Sequence, residues 1–151
     1  MKNQYSYFLV LCFLFTLFSN CKSTEEDTVL VIPEYEIKRN NILGDWSSKQ
    51  TIQEFRGDTL YDEYLSSFMF DYSFEEAGTG SRRMFNLGDD FNWIYQHEPA
   101  LVILNFPDFD YSLICEIIKN ESDQQIWKFE TNQTDALGMT TILKHTLKLD
   151  K

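Results

Sequence analysis

Phe68-Met69-Phe70-Asp71-Tyr72-Ser73-Phe74-Glu75 alternates strictly. Phe68, Phe70, Tyr72 and Phe74 share one face of an extended chain. Met69, Asp71, Ser73 and Glu75 share the other. Period two with aromatic residues on one side predicts a β-strand with one buried face. The same rhythm spreads in both directions. Downstream, Glu75 to Gly80 reads as a turn, its two glycines permitting positive φ. A short strand is expected over 81–86 and a turn over Leu87-Gly88-Asp89-Asp90. Phe91, Trp93 and Tyr95 then alternate with Asn92, Ile94 and Gln96, until Glu98-Pro99 breaks the strand.

Residues 100–106 form a continuous apolar run, the pattern of a strand in a barrel wall or covered on both faces. Pro107-Asp108-Phe109-Asp110 turns the chain. Tyr111, Leu113, Cys115 and Ile117 alternate with Ser112, Ile114, Glu116 and Ile118. After a turn at 120–123, Trp127 and Phe129 point opposite to Lys128 and Glu130. A polar loop is expected over 131–138. The last strand covers 140–149, with Leu143, Leu147 and Leu149 opposite Lys144 and Lys148. Upstream, 46–55 reads as the first strand. Residues 58–67 fit either a helical stripe or a strand, and a strand or irregular lead-in is favoured because so short a stretch makes a marginal helix. About eight strands joined by short turns imply an all-β fold, an antiparallel up-and-down β-barrel that removes exposed edges. A β-sandwich is the alternative.

The amino-terminal segment differs. Lys2 precedes an apolar run over 7–18, too short to span a bilayer and right for an export signal. Leu17-Phe18-Ser19-Asn20-Cys21, with a polar acidic sequel, resembles the lipobox of bacterial lipoproteins. The resemblance implies cleavage before Cys21, a diacylglycerol thioether on its sulfur and acylation of the new amino terminus. It thus assigns 1–20 to a lipoprotein signal peptide and 21–41 to a lipidated cysteine and tether. Lys22 and Glu25-Glu26-Asp27 are similar to the surface-export signal of lipoproteins from Bacteroidetes-type bacteria, which leaves the periplasmic side of the outer membrane or the cell surface as the expected place. Val29 to Ile32 is a brief apolar run stopped by Pro33, an outlying strand or plug. Lys38 to Asn41 is polar and marks where the domain of 42–151 begins.

The chain carries 13 basic and 24 acidic residues, a net charge of −11; without Lys2 the remainder is at −12. Such a charge excludes nucleic acid as a partner, because phosphates require a basic face. It also disfavours electrostatic docking on anionic lipid. The expected membrane attachment is therefore covalent, through Cys21. With Cys12 removed and Cys21 acylated, only Cys115 remains, so no intramolecular disulfide forms. Its alternating apolar surroundings make Cys115 a small buried hydrophobe.

Ile42-Leu43-Gly44-Asp45-Trp46, opening the first strand of an eight-stranded meander, is similar to the Gly-x-Trp signature of lipocalins. The region from Ile42 to Leu149 resembles the lipocalin-like domain of small bacterial lipoproteins. The resemblance implies that Gly44 lets the backbone bend into the strand and that the Trp46 indole closes one barrel end. Lipocalins stack a last-strand arginine on this tryptophan; here the basic residues of that strand are Lys144 and Lys148. A barrel of this size is filled by its own side chains or holds one small apolar or amphipathic ligand. The candidate lining is Trp46, Phe68, Phe70, Tyr72, Phe74, Trp93, Tyr95, Tyr111, Trp127 and Phe129. Dense packing of cores favours filling.

Chemistry-bearing patterns are sparse. His97 and His145, with one buried cysteine, do not make a zinc site. There is no Gly-x-Ser-x-Gly, phosphate loop or dinucleotide fingerprint. Asp89-Asp90 and Asp108/Asp110 lack the pattern of a calcium loop. Arg82-Arg83 reads as a pair balanced by neighbouring acids. The expectation is a protein that is not an enzyme and uses no cofactor or metal.

Overall fold

A computed structural model describes residues 32–151. The signal segment 1–20, Cys21, the tether residues 22–31 and most of the apolar run at 29–32 lie outside the described residues. The chain order is α1 (Glu34–Asn40), β1 (Gly44–Arg56), β2 (Thr59–Leu65), β3 (Asp71–Phe74), β4 (Thr79–Met84), β5 (Leu87–Gln96), β6 (Leu101–Phe106), a 3₁₀ turn (Pro107–Phe109), β7 (Tyr111–Asn120), β8 (Gln124–Thr134) and β9 (Thr140–Asp150).

All pairings are antiparallel, and β3 to β9 follow one another as neighbours. The ring closes because β1 pairs with β9 along ten residues on one edge and with β3 over Gly44 to Ser47 on the other. The fold is therefore a closed eight-stranded up-and-down barrel with one extra strand, and not a sandwich. Strand β2 pairs with the same edge of β1 that β3 uses, over Thr51 to Arg56. Together β2 and β3 act as one strand broken by residues 66–70, which bulge opposite 48–50. Hydrogen bonds pin both ends of the bulge: Ser66 N donates to Gln50 O at 2.8 Å and Ser48 N to Phe70 O at 3.1 Å.

This bulge corrects the reading of 68–75 as one strand. Asp71 to Phe74 alternate as expected, with Tyr72 and Phe74 buried. Phe68 lies on the bulge, 60 % exposed, and is not part of the barrel wall. The bulge turns it outward because Ser66 Oγ accepts the Phe68 N–H, replacing a ladder bond with a local one. Three other expectations also shift. The turn expected at 87–90 is Phe85-Asn86, and 87–90 are the start of β5, in register with β4 through Arg82↔Asp89. The loop expected from 131 begins only after Thr134, because β8 pairs with β9 to its end. Residues 34–40, read as tether, form α1. Pro33 precedes the helix, Glu34 and Glu36 lie in its first turn, and Lys38 and Arg39 lie in its last, matching the helix dipole.

Strand directions give the barrel two ends. The turns after β3, β5 and β7 lie at one end, with α1 and Trp46. The turns after β1, β4, β6 and β8 lie at the other. Gly44 bends the chain into β1 with φ +106°, a conformation that favours glycine. Trp46 is buried at this first end, and its indole N–H donates to Ile42 O at 2.7 Å. The cation over its ring is Lys151, with Nζ 4.6 Å from the centroid, and not Lys144 or Lys148. Lys144 stands over Phe55 and Lys148 pairs with Asp150. Helix α1 covers the same end. Tyr35 packs on Tyr95 with ring centroids 5.4 Å apart, the Arg39 guanidinium lies 5.2 Å over the Trp93 ring, and Asn120 Nδ2 donates to Lys38 O.

Candidate functional site: the open half of the barrel

The closed half is filled. Phe74 is its hub, within 6.2 Å of the Tyr72, Phe91, Trp93 and Trp127 rings, centroid to centroid. The polar handles of these side chains are spent internally. Trp93 Nε1–H donates to Glu75 O and Thr79 O, and Trp127 Nε1–H to Gln125 Oε1. Buried Gln125 in turn donates to Asn41 O, Asn120 Oδ1 and Glu121 O. Among the described residues, every buried side-chain N or O has a hydrogen-bond partner. Six of the ten candidate lining residues, Trp46, Tyr72, Phe74, Trp93, Tyr95 and Trp127, are therefore core.

The remaining candidates lie outside the fully buried core, with Phe70 and Phe129 packed against its edge. Phe68 is excluded by the bulge. Phe70, Tyr111 and Phe129 follow the inward parity of their neighbours but lie toward the other end, where burial is incomplete. Tyr111 is 43 % exposed, which corrects its placement in a buried lining. It stacks on Phe106 at 6.0 Å at the rim.

The open half arises from pairing. Strand β7 pairs with β8 only from Glu116 onward, so Tyr111 to Cys115 are held by β6 and Phe129 to Thr134 by β9. The wall parts between them. A groove of about 430 Å³ follows this parting and is lined by Ile114, Glu116, Lys128, Phe129, Lys144 and His145, among others.

Two polar constellations line the open half. On one wall, Arg82 Nε and Nη2 both donate to Asp89 Oδ2, at 2.8 and 2.7 Å. The guanidinium lies 4.3 Å from the Phe106 ring centroid and 5.2 Å from that of Phe70, so the ion pair is roofed by aromatic faces. Burial pushes the Tyr72 hydroxyl below it up to about 12, with the Arg82 charge opposing. As expected, Arg82 and Arg83 pair with nearby acids, Asp89 and Asp90. On the other wall, His145 is buried and stacks on Phe129 at 4.4 Å with planes 7° apart. Its Nδ1 meets Gln50 Nε2 and its Nε2 meets Thr131 Oγ1, both at 2.8 Å. With the amide nitrogen donating to Nδ1, the ring carries its proton on Nε2 and donates to Thr131. Burial lowers its pKa and keeps it neutral.

In that tautomer Thr131 Oγ1 accepts a hydrogen bond from His145 Nε2–H, so the nitrogen facing the hydroxyl has no free lone pair to take its proton. Among the described residues, no group of three or more His, Cys, Asp and Glu is placed to hold a metal ion. Aromatic faces with a few fixed polar groups suit an amphipathic small molecule. Sequence reasoning missed Arg82, Gln50 and Thr131 as lining residues. Their inward parity in strands β4, β1 and β8 was the available signal; the turn misplaced at 87–90 hid the Arg82↔Asp89 pairing, and the loop expected from 131 hid Thr131. No family model and no curated relative matches this chain.

Proposed function

We propose that this chain is a lipid-anchored lipoprotein of the bacterial outer membrane whose lipocalin-like barrel binds a small apolar or amphipathic molecule in its open half. The observation that carries the reading is the division of the barrel. One half is packed and satisfied, while Phe70, Tyr111 and Phe129 keep inward aromatic surface near solvent beside the Arg82–Asp89 pair. The test is displacement of a fluorescent aliphatic probe, together with native mass spectrometry of the purified protein. Phe129→Ala removes about 1.5 kcal/mol of apolar contact and weakens probe binding about tenfold. Probe binding unchanged in Phe129→Ala and Tyr111→Ala, with no co-purified molecule, overturns the reading.

The anchor is assigned to Cys21. Two or more acyl chains hold a protein stably on a bilayer, at about 0.8 kcal/mol per buried methylene. Cys21→Ser should move the protein out of the membrane fraction, and retention there would count against lipidation. A second reading, a structural or protein-interaction lipoprotein with a filled barrel, draws on the dense ring packing around Phe74. A partner captured equally by Phe129→Ala and wild type, without probe binding, would favour it.

A further inference from the structure

The two ends of the barrel differ in what their turns expose. At the closed end the turns are 75–78, 97–100 and 121–123, reading Glu-Glu-Ala-Gly, His-Glu-Pro-Ala and Glu-Ser-Asp. None of these turns presents a large exposed apolar side chain, and the apolar surface at that end is the partly exposed Tyr35 and Ile37 of α1. At the open end, three connections do so. The β4–β5 turn presents Phe85, the β6–β7 connection Phe109, and the β8–β9 turn Leu137 and Met139. Phe85 is 96 % exposed and Leu137 85 %. We infer that these turns form a docking rim that seats the open end of the barrel on a lipid bilayer of zwitterionic headgroups, where the bound molecule is exchanged.

Several features select a bilayer as the occupant. The apolar residues stand on separate convex tips, whereas a protein partner's face concentrates burial in one packed centre. A fluid apolar phase accepts separated tips. The tips also carry their own hydrogen bonds. In the β8–β9 turn, Asp135 Oδ1 accepts the N–H groups of Leu137 and Met139, and Asp135 O accepts that of Gly138. A turn whose backbone is satisfied locally leaves water without orphaned polar groups. Phe85 occupies the left-handed region with φ +56°, at a hairpin position where glycine is the favoured residue. An aromatic side chain held fully outward at a strained position is costly in isolation and is explained by what it enters. Finally, Asp108 and Asp110 flank Phe109, and Asp135 begins the turn that carries Leu137. Their charge repels anionic headgroups and complements the ammonium groups of zwitterionic ones.

This inference rests on the open half being the ligand's site, and its test separates the two. The full chain is reconstituted with phosphatidylcholine vesicles containing spin-labelled lipid, as wild type and as Phe85→Trp, Leu137→Trp and Ala77→Trp. The native tryptophans 46, 93 and 127 are buried and give a constant background. Docking predicts blue-shifted emission and at least twofold stronger quenching at positions 85 and 137 than in wild type. It predicts no added quenching at 77, in a closed-end turn. Replacing half of the phosphatidylcholine with phosphatidylglycerol should reduce the quenching at 85 and 137. Absence of added quenching at both tips, as docking on a protein or a second copy would give, overturns the inference even if probe binding persists. Equal quenching at 77 overturns it as well. Tip quenching without probe binding supports the docking rim and removes only the ligand reading.

Discussion

Trp46 shows how much a single residue carries. Gly44 gives the bend, Ile42 O takes the indole N–H, and Lys151 supplies the cation above the ring. The first two are local in sequence, and the Gly44 bend was legible there. Lys151 is 105 positions from Trp46 and follows β9 rather than lying within it, so only the closure of β1 on β9 brings it over the ring. Cys115 is buried with no exposure, and burial pushes its thiol up to about 12. The thiolate is the reacting species. Cys115 should therefore resist a thiol-specific disulfide reagent at pH 8 in the folded protein and react within minutes in denaturant, read as label on the Cys115 peptide. His145 makes a pH prediction. Its folded pKa lies below the unfolded value near 6.5, so the unfolded chain takes up the proton first. The stability from neutral His145 is fully present above about pH 6.5 and is lost as pH falls toward the folded pKa. In urea titrations between pH 7.5 and 5, His145→Gln should show a shallower decline than wild type.

At the scale of elements, the bulge at 66–70 is the feature that period-two reading could not resolve. A bulge keeps apolar residues at plausible strand positions while reversing the facing of one side chain. Phe68 and Phe70 look equivalent in sequence, yet one projects from the barrel and the other packs against its core. The bulge depends on Ser48, whose buried Oγ accepts the Phe70 N–H at 3.0 Å. Ser48→Ala leaves that donor without its partner. It should cost about 1–2 kcal/mol in a urea titration and accelerate hydrogen exchange at Phe70. Helix α1 was hidden for a different reason. Seven residues lack the length for a visible helical stripe, and their helicity comes from docking on Trp93 and Tyr95.

For the whole molecule, closure into a barrel separates a packed end from an open one. The excess of 11 negative charges acts on the molecule as a whole, since repulsion among exposed carboxylates opposes compactness. Raising ionic strength from about 10 to 150 mM shortens the screening length from about 30 to 8 Å. The midpoint of thermal unfolding should rise over that range, and a fall would show that attractive pairs such as Arg82–Asp89 outweigh the general repulsion.

By itself, the sequence determined the all-β class, the antiparallel order, most strand centres and the apolar face of each strand. These follow from side-chain period and turn chemistry, which are local. The sequence also holds the whole case for Cys21, since that stretch lies outside the described residues. Tertiary structure decided which aromatic residues are core and which border the open half. It also paired Lys151 with Trp46, parted β7 from β8 and gathered the apolar turns at one end. Each of these depends on pairings between residues far apart in the chain. Registry between strands is set by the packing of the closed barrel, and no local pattern encodes it.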